Sequence, residues 1–178
     1  MKFLIASDLH GSAYYAKKLK EIFNEESADK IVLLGDIYNH GPRNPLPKDY
    51  SPMEVANILN SLKDKLIVIK GNCDSQVDTL ISEFSFIEDA VLVSGGKTVF
   101  CTHGHVFNKD KMPQTQFDAL LYGHFHTGFI EQQGATVVAN AGSVSLPKNG
   151  TPSSYLILED NTLTLKDISG NQIAKTVI

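Results

Sequence analysis

Cysteine is scarce in this sequence: only Cys73 and Cys101 occur, with no paired spacing between them. A disulfide framework is therefore excluded as a source of stability, and a reducing compartment, the cytoplasm, is the expected location. An excess of positive charge is also missing, since 16 Lys and Arg stand against 20 Asp and Glu, for a formal net charge of -4. Binding long nucleic acid by broad phosphate neutralisation needs a basic face, which this composition does not supply. Long hydrophobic runs are absent too. The apolar stretch near the N-terminus, Lys2 to Ser7, is too short for a signal-peptide core and far too short to span a bilayer, so no membrane partner is expected. No repeat and no linker-like segment divides the chain. Its 178 residues, 42% hydrophobic, are expected to form one domain, residues 1–178, around a single hydrophobic centre.

What is present is a regular alternation of elements in the first half. Lys2 to Ser7 reads as a strand, and Ala13 to Glu26 as a helix with apolar residues at Ala16, Leu19, Ile22 and Phe23 and Ser12 as its N-cap. Lys30 to Leu34 is the next strand. Ser51-Pro52 starts a second helix to about Leu62, and Leu66 to Ile69 is a third strand. Apolar strands alternating with amphipathic helices predict a largely parallel sheet. The second half instead shows short strands at Ala90–Ser94, Thr98–Thr102, Ala119–Tyr122, Gly128–Gln133, Thr136–Asn140, Ser154–Leu158, Thr162–Ile168 and Gln172–Val177. Turns such as Gly95-Gly96 and Gly170-Asn171 separate them, which predicts mostly antiparallel sheet. The expected fold is α/β, a four-layer α-β-β-α sandwich of two mixed sheets with helices outside. One long irregular segment, Asn39 to Asp49, carries three prolines and follows a strand end, where functional loops are often found.

Five short polar clusters each follow an apolar run: Asp8-Leu9-His10-Gly11, Gly35-Asp36, Gly71-Asn72-Cys73-Asp74, Thr102-His103-Gly104-His105 and Gly123-His124-Phe125-His126. Five of the six histidines fall inside them. Alone, an Asp after a strand is an ordinary turn residue, Asn72 an ordinary turn, and Cys73 a small apolar filler. Five such clusters at five strand ends are a different matter. Imidazoles and carboxylates converging from several strands suit divalent cations, and a bridging carboxylate lets two ions share one site about 3.5–4 Å apart. Asp8, His10, Asp36, Asn72, His103, His124 and His126 would supply such a site. Mixed oxygen and imidazole donors suit manganese, iron, zinc or nickel rather than calcium.

The clusters Asp8-x-His10, Gly35-Asp36, Gly71-Asn72-x-Asp74, His103-Gly104 and Gly123-His124-x-His126 resemble the signature of the calcineurin-like metallophosphoesterases, along essentially the whole chain. The segments Gly35 to Asn44, Gly71 to Ser75 and Gly142 to Lys148 are similar to a branch of small bacterial phosphodiesterases in that family. The resemblance implies a hydrolase of phosphate esters with two cations, commonly manganese. It places Asp8, His10, Asp36 and His126 on one ion and Asp36, Asn72, His103 and His124 on the other, with Asp36 as the bridge. A homo-oligomer, dimer or tetramer, is also implied.

The expected reaction is attack on phosphorus by a water acidified between the two cations, with Asp36, Asn72 and His103 closest to the chemistry. His40 and Arg43, on the loop after Asp36, are candidate donors to the phosphate, and His105 can face the substrate while His103 binds metal. Asp74 is expected to orient a neighbouring ligand. Many members of the family carry His where this chain has Cys73. A thiol there should be a weak general acid, which favours small phosphodiesters or aryl esters with acidic leaving groups. A phosphomonoester, a cyclic nucleotide or a catalytically silent protein-binding scaffold are the alternatives.

Overall fold

The computed structural model describes residues 1–178. Seven strands form the first sheet: β1 (Lys2–Ala6), β2 (Lys30–Leu33), β3 (Leu66–Ile69), β4 (Phe86–Ile87), β10 (Ser154–Glu159), β11 (Thr162–Asp167) and β12 (Gln172–Val177). Their order is β12-β11-β10-β1-β2-β3-β4, parallel from β1 to β4 and antiparallel from β1 outward through β12. The second sheet contains β5 (Ala90–Ser94), β6 (Lys97–Cys101), β7 (Ala119–Tyr122), β8 (Phe129–Gln133) and β9 (Thr136–Asn140), in the order β5-β6-β7-β9-β8. Two helices, α1 (Ala13–Glu25) and α2 (Pro52–Asn60), cross between the parallel strands. Ser12 caps α1 as expected, its Oγ accepting from the Tyr15 amide at 3.3 Å, and Pro52 opens α2.

The α/β class and the two mixed sheets agree with the sequence, but three details differ. First, the apolar residues divide into two large clusters rather than one centre. Leu4, Ile31, Leu33 and Val68 face α1 and α2, whereas Ile5, Val32, Leu34 and Ile69 face Val99, Leu121 and Ala139 of the second sheet. A parallel strand covered on both sides sends alternate side chains to two different cores. Second, most pairings among the strands from residue 90 on are antiparallel as expected, but β6–β7 and β7–β9 are parallel, so the second sheet is mixed. Third, no helix covers its outer face. The segment from 102 to 118 crosses there instead, packing Phe107, Met112 and Phe117 on Phe100, Leu120, Tyr122 and Val138.

Parallel order in both sheets has one consequence for function: the C-terminal ends of β1, β2, β3, β6 and β7 open onto the same rim. Backbone bonds tie these ends together, from Asp8 N–H to Gly35 O at 3.1 Å, His10 N–H to Asp36 O at 2.9 Å and Gly123 N–H to His103 O at 2.8 Å.

Away from that rim, Glu26 fastens the end of α1 to three strands. Its carboxylate, 11% exposed, accepts from Lys166 Nζ (2.7 Å) and Tyr155 Oη (2.9 Å) and pairs with Lys2 Nζ (3.1 Å). Burial works to raise this carboxyl, but the three donors outweigh it and hold it below its ordinary value. A depressed folded value stabilises the fold above the unfolded value and stops doing so as pH falls through the folded one. Glu26→Gln should therefore cost about 1–2 kcal/mol at pH 7, a gap that closes as urea denaturation is repeated below about pH 4. A pH-independent gap would mean that packing, not the charge, carries the effect.

Candidate functional site

The first strand ends in Ser7-Asp8, and Asp8 is fully buried. Ser7 Oγ donates to Asp8 Oδ2 at 2.6 Å and the His124 amide donates to the same oxygen at 2.9 Å. Ser143 and Ser145 hydroxyls both donate to the Asp8 carbonyl at 2.8 Å. Asp8 Oδ1 is left without a hydrogen bond. It lies 3.1 Å from His126 Nε2 and 3.5 Å from His10 Nε2, and those two nitrogens are 3.2 Å apart. Each ring turns its other nitrogen to a carbonyl, His10 Nδ1 to Asn39 O at 2.7 Å and His126 Nδ1 to Leu146 O at 2.6 Å. A carbonyl only accepts, so the neutral rings carry their proton on Nδ1 and leave Nε2 bare. Three lone-pair acceptors thus converge in a buried space with no donor among them. A cation satisfies all three, and backbone-anchored imidazoles of this kind are typical of metal ligands.

A second set adjoins the first through Asp36. Its Oδ2 is 3.7 Å from His10 Nε2, while its Oδ1 is 3.5 Å from His103 Nε2, so one carboxylate faces both sets. His103 is anchored like the other two, Nδ1 donating to Leu34 O at 2.7 Å, and its Nε2 lies 3.0 Å from Asn72 Oδ1. The Asn72 amide nitrogen donates to Cys73 Sγ at 3.3 Å, which turns the amide oxygen toward His103. Cys73 Sγ itself falls within reach of His10 and Asp36. His124 is the outlying member. Its ring, half-buried, stands 5.1 Å from that of His103.

The backbone confirms that these positions are unusual. Asp8, His10, Asp36, His124 and His126 all adopt left-handed φ angles, between 50° and 65°. Non-glycine residues pay for that conformation, and such outliers cluster where geometry matters more than local stability. Two glycines of the polar clusters have a steric reason. A Cβ on Gly71 would overlap the Asp36 carboxylate, and one on Gly123 would overlap the Ser7 hydroxyl.

The electrostatics express a demand for positive charge. Burial pushes the Asp8 carboxyl up, but the His10 and His126 rings hold it well below the carboxylate range. Asp36 is likewise lowered, burial being outweighed by His103. In return, burial would lower His103, yet Asp36 and Asp8 raise it to about 9. His124 and His105 are lowered, first by burial and then by the charge on His103. Burial, with Asp36 next, pushes the Cys73 thiol up to about 12.

The centre lies in a cleft of about 730 Å³. Asp36, Asn72, Cys73, His124 and His126 line it, together with Arg43 of the loop after β2 and Lys148 of the loop after β9. His40 does not line the cleft; its ring packs edge-on against Tyr50, centroids 5.3 Å apart. His105 is exposed beside His103, centroids 5.3 Å apart. Asp74 supports no histidine. Its carboxylate accepts from the amides of Asp36 (2.8 Å), Ile37 (2.7 Å) and Gly71 (2.7 Å), and so orients Asp36 through its backbone. Lys148, Phe125, Ser143 and Ser145 were not singled out from the sequence. Phe125 stands inside the Gly123 to His126 cluster, whereas Ser143, Ser145 and Lys148 are marked only by the Gly142 to Lys148 segment, and the Asp8 carbonyl that the serines bind is 135 and 137 residues away.

Comparison with known proteins agrees with this geometry. The calcineurin-like phosphoesterase superfamily domain matches residues 1–162. Phosphodiesterase YfcE of Escherichia coli (strain K12) is 41% identical over 180 residues, which cover 99% of this chain and 97% of the relative. The structure of E. coli YfcE, described as a phosphoesterase, superposes with a TM-score of 0.96 at 38% identity, covering both chains completely. Vps29 of Entamoeba histolytica, solved with zinc, shares the fold at a TM-score of 0.67 and 20% identity, covering 99% of each chain. By its matched domain and its full-length identity to a relative, the chain belongs to the calcineurin-like phosphoesterase superfamily.

Proposed function

We propose that this phosphoric ester hydrolase cleaves small phosphate diesters at a centre of two divalent cations. The observation that carries the reading is the pair of ligand sets, the buried Asp8-His10-His126 and the adjoining His103 with the exposed Asn72, joined by the two oxygens of Asp36. When bound, such a pair supplies Lewis acidity to a water and to the phosphoryl oxygens. Asp8, His10, Asp36 and His126 would hold one ion, and Asp36, Asn72, His103 and His124 the other. The neutral Asn72 amide leaves the second set less anionic than a carboxylate would, so the loaded centre keeps positive charge to attract phosphate. Arg43 and Lys148, lining the same cleft, are placed to receive its non-reacting oxygens. Cys73 offers only a thiol beside the leaving group, which supports diesters with acidic leaving groups as substrates. Manganese fits the mixed nitrogen and oxygen donors, and the cleft suits a small molecule. The phosphodiesterase activity in the name of the E. coli relative supports the same choice. Residues from both sheets build the centre, so residues 1–178 act as one domain in this reading. No helix is long and apolar enough to cross a membrane.

The test is hydrolysis of bis-p-nitrophenyl phosphate and p-nitrophenyl phosphate by metal-stripped protein after addition of Mn, Zn, Fe(II), Ni, Mg or nothing, with bound metal counted. Diester cleavage restored best by manganese, at two ions per chain, is expected. Cleavage of the monoester alone would overturn the diester assignment, and full activity at one ion per chain would overturn the pair.

A further inference from the structure

Phe125 sits between two proposed metal ligands and is the only Phe, Tyr or Trp side chain lining the cleft. It is nevertheless 46% exposed. The flanking residues His124 and His126 hold left-handed φ angles of 65° and 58°, and the Phe125 amide is tied to Gly123 O at 2.7 Å, so the backbone that presents the ring is fixed. The ring itself meets His124 (centroids 5.0 Å, 81°) and Tyr122 (6.0 Å, 79°) edge-on. An apolar ring left 46% exposed at the mouth of a polar cleft keeps apolar surface that only a ligand would cover. A ring already held in place also loses little freedom when a ligand covers it. Arg43 and Lys148, on other loops lining the cleft, add two cations to the same space. The combination of an open aromatic ring, two cations and a phosphate-directed centre has a matching ligand chemistry: an anionic phosphodiester that carries a planar aromatic ester arm.

We infer that Phe125 is a specificity-determining residue, a platform on which the aromatic arm of the diester stacks while its phosphate is held at the centre. The inference rests on the phosphodiesterase reading above. The planar arm can be an aryl group or a nucleobase, since both offer the same π-face, and stacking of this kind changes binding by about tenfold.

The experiment compares manganese-loaded protein on three substrates with one leaving group, p-nitrophenolate, and different retained arms: methyl, phenyl and thymidine 5′-phosphate. The wild type should show a KM about tenfold lower for the phenyl and thymidine esters than for the methyl ester, with kcat differing much less. Phe125→Leu should collapse that ratio toward one, and Phe125→Tyr should restore it, with metal content measured in each. A preference for thymidine over phenyl would assign nucleoside diesters, and equal preference would assign aryl arms in general. No preference in the wild type, or one that survives Phe125→Leu at full metal content, would overturn the platform. If no ester is cleaved with any cation, the phosphodiesterase reading fails, and binding decides separately. Phenyl phosphate and thymidine 5′-phosphate should then shift the Phe125 ring protons in NMR titrations where methyl phosphate does not. Identical shifts from all three would sink the inference without reference to turnover.

Discussion

Asp36→Ala should lower hydrolysis of bis-p-nitrophenyl phosphate by on the order of 10³-fold or more, a larger loss than any other single ligand substitution. Its two oxygens face the two ligand sets, so truncation removes a donor from each at once. Losing Asp8 or His103 empties one side and leaves the other able to bind an ion. The distinction is visible without kinetics. Titrating metal-stripped wild type with manganese should reveal two ions per chain and raise the melting temperature, because an ion at 100 times its Kd stabilises by about 2.7 kcal/mol. Asp36→Ala should abolish most of both effects. The fold should survive, since the Asp74 carboxylate still gathers the amides of residue 36, Ile37 and Gly71. A variant that binds two manganese ions with wild-type affinity would show that Asp36 does not join the sets.

How much of this site the sequence reveals depends on the range of the interaction concerned. Strand and helix periods are local, and β3, β5, β7, β9 and β12 run over the residues their apolar patterns mark. The polar clusters are also local, each a few residues after an apolar run, which is why the candidate ligands are recognisable before their positions are known. β4, only Phe86–Ile87, is too short to carry a period. Parallel pairing in the second sheet escapes for another reason. Parallel neighbours need a crossover, and helices usually mark one, but the crossover from β6 to β7 is irregular chain whose aromatic residues pack like a layer. Interactions set by tertiary structure are the least legible. Nothing near Ser143 or Ser145 indicates that both hydroxyls hold the carbonyl of Asp8, and nothing near Asp74 shows that it grips backbone rather than a histidine ring. His40 is absent from the cleft lining, and its ring packs edge-on against Tyr50, a contact that no local pattern announces.

Cys73→His should change which esters are cleaved rather than whether cleavage occurs. Position 73 follows the proposed ligand Asn72 and lines the cleft, with Sγ half-buried and approached by the Asn72 amide. A thiol with a reference pKa about two units above that of imidazole is a poor proton donor at pH 7. Leaving groups that depart as stable anions, such as p-nitrophenolate, need no proton, whereas alkoxides do. General acid catalysis by a positioned imidazole contributes about 10²–10⁴-fold when the leaving group requires it. The substitution should therefore raise kcat by about 10²-fold for an alkyl-leaving ester and by only a few-fold for bis-p-nitrophenyl phosphate. It should also steepen the fall of the alkyl-ester rate above about pH 7, as the new imidazole loses its proton. A plot of log kcat against leaving-group pKa reads this directly, its slope becoming shallower in the variant. Parallel plots with equal slopes would show that position 73 supplies no proton, and would return leaving-group stabilisation to the cations of the centre.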